Sequence, residues 1–311
     1  MSLPKLYVAG HSGLLGSAIY NYFQKTGQYR LVVRSHAELD LTKAEAVNQF
    51  FSLENPDIVI MAAGRVGGIV ANQKAPADFI TENLAIQLNV IQNAHKAGCK
   101  RVIFFASSCM YPRDCSQPMD ESLLFSGKPE PTSMAYAVSK MAGLQMCLAY
   151  NCQYDDQTFL PVIPNSVYGP QDNFGLESSH VLSALMRRFD DAKRSGADHV
   201  QLWGSGTPLR EFVYSRDVAR ACALLLKEDI KSLSLPVNLG SGDEVSIRDL
   251  ATKIAAVVGF KGKIFWDTSK SDGAPRKRLD STCLRSMGWA PKVTLDEGLK
   301  RTYDWYSKQI S

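Results

Sequence analysis

The chain has 311 residues, 45% apolar and 21% charged, proportions ordinary for a globular protein able to bury one large core or two modest ones. A net charge of +4 spread along the chain singles out no partner, and the one dense basic run, Arg276-Lys277-Arg278, suits solvated charge or a single phosphate pocket better than a nucleic-acid surface. No apolar stretch has the length of a membrane span, and seven irregularly spaced cysteines point to free thiols in a reducing, cytoplasmic compartment. Residues 1–5 lead into an apolar run of only four residues, so no secretory signal is expected. No metal site is expected either.

In chain order, residues 6–9 read as a buried strand, followed by a glycine-punctuated turn and a helix from 14 to about 24. Residues 31–33 are a second strand, and 43–54 carry a helical pattern with Ala46, Val47, Phe50 and Phe51 on one side. The third strand is 58–61. A long helix is predicted over 78–97, with Leu84, Leu88, Ile91 and Ala94 as its apolar stripe. Residues 102–105 form the fourth strand, and a further helix carries Tyr136 and runs to about 150. Short, continuously apolar strands separated by amphipathic helices predict an α/β fold, a doubly wound parallel sheet with right-handed crossovers. After about Pro164 the alternation loosens, and glycine, proline and aromatic residues gather, as in Trp203-Gly204-Ser205-Gly206-Thr207-Pro208. That part is expected to form a smaller C-terminal lobe over the carboxyl edge of the sheet.

Three groups of residues carry chemistry. Gly10-x-x-Gly13-x-x-Gly16 lies directly after the first strand and opens the first helix. In that setting the absence of Cβ atoms lets a dinucleotide pyrophosphate approach backbone N–H groups at the positive end of the helix; a tight turn needed for packing alone is the lesser reading. Ser12, Leu14 and Leu15 complete this cofactor turn. At the end of the second strand stands Arg34, with no carboxylate until Glu38, which argues for NADP(H), with Arg34 and His36 around the adenosine phosphate. The alternative is that Arg34 is a solvated strand end. Finally, Tyr136 and Lys140 sit one helical turn apart, the one such pair among twelve tyrosines, so the ammonium can favour the phenolate and reach the cofactor ribose. Ser107 follows the fourth strand at the same edge, where its hydroxyl can hold a substrate carbonyl beside the phenol. Residues 1–165 thus read as a dinucleotide-binding domain to which about 211–240 returns, and 166–311 mainly as the substrate lobe.

With these residues in order, the chain resembles the GDP-L-fucose synthases, extended short-chain reductases of the Rossmann type. The resemblance runs nearly end to end. It includes Val66-Gly67-Gly68-Ile69-Val70-Ala71-Asn72, Ser107-Ser108-Cys109-Met110-Tyr111-Pro112, Tyr168-Gly169-Pro170 and Asp272-Gly273-Ala274-Pro275-Arg276-Lys277. It implies a homodimeric epimerase-reductase of a GDP-sugar, in which Cys109 and His180 invert C3 and C5 and Tyr136 serves reduction at C4. Both inversions are chemically reasonable because a C4 ketone acidifies its neighbouring C–H bonds. The resemblance also implies a diphosphate held by Arg188, Arg210, Arg276 and Lys277. Trp203 would pack on base or sugar, with core packing an equal alternative. Three positions depart from the family pattern: Ser12 and His36 replace more basic residues, and Ser166 stands where relatives have Asn. Two rivals keep the same fold, a GDP-L-colitose-type synthase that inverts only C5, and a non-catalytic nucleotide-sensing protein. The presence of Ser107, Tyr136 and Lys140 speaks against the second.

Overall fold

The computed structural model describes residues 2–310 apart from 156, 177, 230–232, 234 and 271. Its first half alternates β1 (Lys5–Ala9), α1 (Leu14–Thr26), β2 (Arg30–Val32), α2 (Ala44–Glu54), β3 (Ile58–Met61), α3 (Ile69–Lys74), α4 (Pro76–Lys96), β4 (Arg101–Phe105), α5 (Met134–Tyr154) and β5 (Phe159–Pro164). The second half contains β6 (Ser166–Tyr168), α6 (Val181–Ser195), β7 (His199–Trp203), β8 (Leu209–Tyr214), α7 (Ser215–Leu225) and β9 (Val237–Leu239). It ends with β10 (Glu244–Ser246), α8 (Ile247–Val258), β11 (Lys263–Asp267), β12 (Arg276–Lys277), α9 (Thr282–Ser286) and α10 (Leu295–Gln309).

Six strands form one parallel sheet in the order β2-β1-β3-β4-β5-β9. Both faces are covered, which is why the strands are mostly apolar rather than alternating. Along β1, Tyr7 and Ala9 join a core with Phe50, Phe51, Val90, Ile91 and Leu144 of α2, α4 and α5. Leu6 and Val8 point the other way, into a core with Ile19 and Phe23 of α1 and Val218, Ala221 and Cys222 of α7. The chain leaves β1 for β2 on one side and then crosses to β3 on the other. The carboxyl ends of β1 and β3 therefore flank a topological switch point, where open α/β sheets bind ligands.

The remaining strands build the lobe. β8 pairs with β6, β10 and β12, while β7 and β11 form a parallel pair. A third core holds Leu182, Leu185, Met186 and Phe189 of α6 against Leu250, Ile254 and Val258 of α8, with Leu202, Phe212 and Leu299. Two of the lobe helices, α8 and α10, start at side-chain caps: Ser246 accepts from the Asp249 N–H and Thr294 from the Glu297 N–H, each worth about 1 kcal/mol. Between these lobe elements the chain returns to the large sheet, since α7 packs on α1 and β9 pairs with β5.

One predicted stripe is displaced. On α4, Ile91 and Ala94 are buried as expected, but Leu88 is 44% exposed and Leu84 only half-buried. The inward face instead carries Phe79, Asn83, Gln87, Val90 and Asn93. Two buried asparagines of this helix serve loops that it covers: Asn83 bonds the backbone of Arg65 and Asn89 the carbonyl of Leu41.

Candidate active site

The turn after β1 is shaped by two of its three glycines. Gly10 has φ +81°, and a Cβ there would stand 2.7 Å from the Ala63 nitrogen; a Cβ on Gly16 would collide with the Gly10 carbonyl. Gly13 differs from expectation. A Cβ there would meet only the Gly10 oxygen at 3.7 Å, so its bareness keeps space above the turn rather than closing it. Gly13 is the N-cap of α1, offers no side-chain cap, and is followed by a first turn without acidic residues. The free N–H groups at Leu14, Leu15 and Gly16, with the positive helix end, fit a pyrophosphate. Ser12 is exposed at the lip of this turn.

At the end of β2 the side chains are arranged differently from their order in the sequence. Arg34 is drawn sideways: one guanidinium nitrogen donates to Glu54 at 2.5 Å, another to the Val33 carbonyl at 2.8 Å, and its carbon lies 5.5 Å from the Phe50 ring centroid. Glu38, four residues on, folds back to accept from both the N–H and the hydroxyl of Ser35 at 2.7 Å. These bonds, with Arg34 and His11 nearby, hold its carboxyl below the usual glutamate range. A carboxylate thus does stand at this strand end. His36 is exposed beside it.

β4 delivers Ser107 to the carboxyl edge. Its Oγ accepts from the Cys109 N–H at 3.2 Å, starting a single 3-10 turn over Ser108–Met110. Tyr136 and Lys140 lie in the first two turns of α5, both buried. Burial lifts the Tyr136 phenol well above the ordinary tyrosine range, the nearby Cys109 adds to this, and a hydrogen bond with Ser107 offsets part of it. Burial thus outweighs the pull toward phenolate expected from the Lys140 ammonium and keeps the phenol protonated, as a proton donor must be. Lys140 lies 5.9 Å from that ring centroid, donates to the Phe105 carbonyl at 2.9 Å, and is pulled down to about 8 by burial.

That shift makes a stability prediction. A lysine in an unfolded chain titrates near ~10.4, so below pH 8 folding must strip water from a charge that the unfolded chain keeps hydrated. The cost is full below about pH 8 and fades as pH rises toward ~10.4. Lys140→Met should therefore stabilise the ligand-free protein by about 1–2 kcal/mol at pH 7, after subtracting about 1 kcal/mol for the Phe105 carbonyl left without a donor. The gain should vanish near pH 10. Urea unfolding at both pH values checks this, and a pH-independent difference would contradict it.

The lobe meets this edge through two adjacent strands. In the parallel β8–β12 pair, Lys277 lies opposite Arg210 and Arg276 opposite Leu209. Alternation then divides the basic run. Arg276 turns to Glu244, donating at 2.7 and 2.5 Å, whereas Lys277 reaches the catalytic turn with Nζ 3.9 Å from the Cys109 sulfur. Arg210 is half-buried, its desolvation draws it below the usual arginine range, and it faces Asp272, Cys109 and Glu130. Arg188 and Trp203 form a separate platform, the guanidinium 5.6 Å from the indole centroid with Lys270 at 6.0 Å. Trp203 is 57% exposed, so the core reading of this residue is wrong.

His180 occupies the N-cap position of α6, but its side chain caps nothing and is exposed. Its loop is tied to the Gly67–Gly68 segment by the Gly68 N–H to Ser178 carbonyl bond of 2.9 Å. That segment in turn touches Phe79, whose ring meets Tyr136 edge-on at 6.2 Å. Asp172 lies behind the loop, accepting from the Ser183 hydroxyl; burial raises its carboxyl, and the charge of His180 opposes that rise.

Sequence reasoning missed Asn165. It is 4% exposed; its Oδ1 accepts from Ser108 at 3.1 Å while its Nδ2 donates to Glu211 at 2.5 Å and to the Lys277 carbonyl at 3.4 Å. Glu211 is fully buried and also accepts from the Gly242 and Leu279 N–H groups. The only local signal was a polar side chain ending the apolar run of β5. Ser166, flagged instead, simply enters β6 opposite Phe212.

The family described as NAD dependent epimerase/dehydratase matches residues 6–240. GDP-L-fucose synthase 1 of Arabidopsis thaliana is 52% identical over 306 residues, 98% of this chain and 94% of that protein. GDP-L-colitose synthase of Yersinia pseudotuberculosis is 31% identical, with 97% of each chain covered. Among solved structures, a GDP-L-fucose synthetase from Naegleria fowleri bound to NADP has a TM-score of 0.88 at 28% identity, covering 100% of this chain and 96% of that one. The chain belongs to the NAD dependent epimerase/dehydratase family, and the GDP-L-fucose synthases are the branch that it follows along its whole length.

Proposed function

We propose that this chain converts GDP-4-keto-6-deoxy-D-mannose to GDP-L-fucose, inverting C3 and C5 and then reducing C4 with NADPH. The observation that carries this reading is the meeting of Cys109, a Ser107-bonded neutral phenol and two lobe cations at one sheet edge. Cys109 takes the proton from C3 or C5, and His180, free of any capping role, returns one on the opposite face. Ser107 holds the C4 carbonyl, and Tyr136, already protonated, supplies the proton to its oxygen. When bound over the glycine turn, NADPH would supply the hydride for C4, and Lys140 would hold its ribose. Arg210, Lys277 and Arg188 suit the diphosphate, with Trp203 against the base or sugar; Arg276, committed to Glu244, is not part of that set. The greater identity to a fucose synthase than to the colitose synthase supports double inversion. Incubation with NADPH and the keto-sugar, with NMR of the product, tests it. A product inverted only at C5, or no turnover, overturns it.

Two further readings belong here. Leu88 on α4 and Val138 on α5 leave apolar side chains exposed on helices that pack together, which supports a homodimer built through these helices. Seven free cysteines support a cytoplasmic setting.

Cofactor choice turns on the Arg34–Glu54 pair. One arginine contact to phosphate is worth roughly 1.5–3 kcal/mol, or about ten- to a hundredfold in preference for NADPH. With Glu54 competing for Arg34 and only Ser12 and His36 to help, the wild type is expected near the low end. Arg34→Ala should erase most of the preference, and Glu54→Gln should raise it about threefold or more by releasing the guanidinium. The ratio of kcat/KM for NADPH and NADH decides. No change in Arg34→Ala would remove Arg34 from the cofactor site.

A further inference from the structure

The basic run on β12 splits its charges with a clear bias. Arg276 and Arg278 both lie against Glu244, at 2.5 and 3.7 Å, on one side of the strand. Lys277 projects to the other side. Among the described residues its ammonium has no carboxylate partner, and the Cys109 sulfur is its one hydrogen-bond acceptor. The separation is held from both ends. Asn165 grips the Lys277 carbonyl with its amide nitrogen and Ser108, the neighbour of Cys109, with its amide oxygen, and the buried Glu211 holds Asn165. A long lysine kept beside a thiol by a buried joint is a built contact rather than a chance approach.

The groups facing the sulfur come from three elements and its own turn. Lys277 of β12 and Arg210 of β8 are cationic, while Tyr136 of α5 and Ser107 are neutral. Arg210 is shared with Asp272 and Glu130, which leaves Lys277 as the counter-ion not already balanced.

We propose that Lys277 is the positioning residue for Cys109 as the base at C3 and C5: held beside the sulfur by the Asn165 joint, its ammonium stabilises the anionic sulfur that takes the sugar proton. This rests on the GDP-keto-sugar reading of the site. The step balances. The C–H bond of the sugar breaks, its proton forms the S–H bond, and the electron pair moves through the carbon to the C4 oxygen.

The test is site-resolved alkylation of Cys109 by iodoacetamide at pH 7, read by peptide mass spectrometry, with the buried Cys147 and Cys222 as internal reporters of folding. Lys277→Gln should alkylate about tenfold more slowly than wild type, and Lys277→Arg should stay close to it. Equal rates in wild type and Lys277→Gln would overturn the role of Lys277 while leaving the proposed activity standing. Failure of GDP to bind the wild type in calorimetry would instead sink the GDP-sugar reading, and this inference with it.

Discussion

Tyr136→Phe is expected to exchange the C3 and C5 protons of the keto-sugar with solvent at near the wild-type rate while oxidising NADPH about 10²–10⁴-fold more slowly. The expectation follows from where the phenol sits. Its ring packs edge-on against Phe79 and lies within cation–π range of Lys140, contacts that a phenylalanine keeps. The oxygen is the only part lost, together with its bond to Ser107. Because burial keeps that oxygen protonated, the wild-type reductive step should show no loss of the acid as pH rises through 7 and 8. Measuring NADPH oxidation at 340 nm beside deuterium uptake separates the two steps. A variant that still transfers hydride normally would show that another group protonates the C4 oxygen.

Cys109→Ala should have the converse phenotype. Deuterium uptake at C3 and C5 should fall about 10²–10⁴-fold, and any sugar reduced should keep its original configuration at both centres. The Ser107 cap on the turn needs only the backbone N–H of residue 109, so the turn itself survives the substitution. Fully inverted product from this variant would reassign the base and make Cys109 a packing residue.

The elements most visible in the sequence were those whose signal is local. Four of the six central strands, β1 to β4, announce themselves as apolar runs alternating with amphipathic helices, whereas β5 and β9 went unread, near and beyond the point where that alternation loosens; the glycine turn and the Tyr136–Lys140 pair are fixed by short spacings. What escaped depends on partners far away in the chain. Arg34 looked free because Glu54 is twenty residues on, and Asn165 looked ordinary because Ser108, Glu211 and Lys277 come from three other segments. The α4 stripe failed for a related reason. A helix covering loops must satisfy their backbone groups, so Asn83 and Asn89 point inward and Leu88 outward. The balance of effects on the Tyr136 phenol was not legible because spacing reveals the cation but not the depth of burial, which dominates here.

The position of β9 has a consequence for synthesis. The strand that covers the outer edge of β5 is made only after the lobe strands β6, β7 and β8. At ribosomal speeds of about 5–20 residues per second, the roughly seventy residues between the two strands take about 4–15 s to emerge. Throughout that interval the glycine turn, Ser107, Tyr136 and Lys140 already exist, yet the sheet beneath them ends in the uncovered apolar edge Phe159–Pro164. An unpaired edge of that kind pairs readily with any passing strand, so yield in the cell depends on how well the nascent chain is shielded before Val237 arrives.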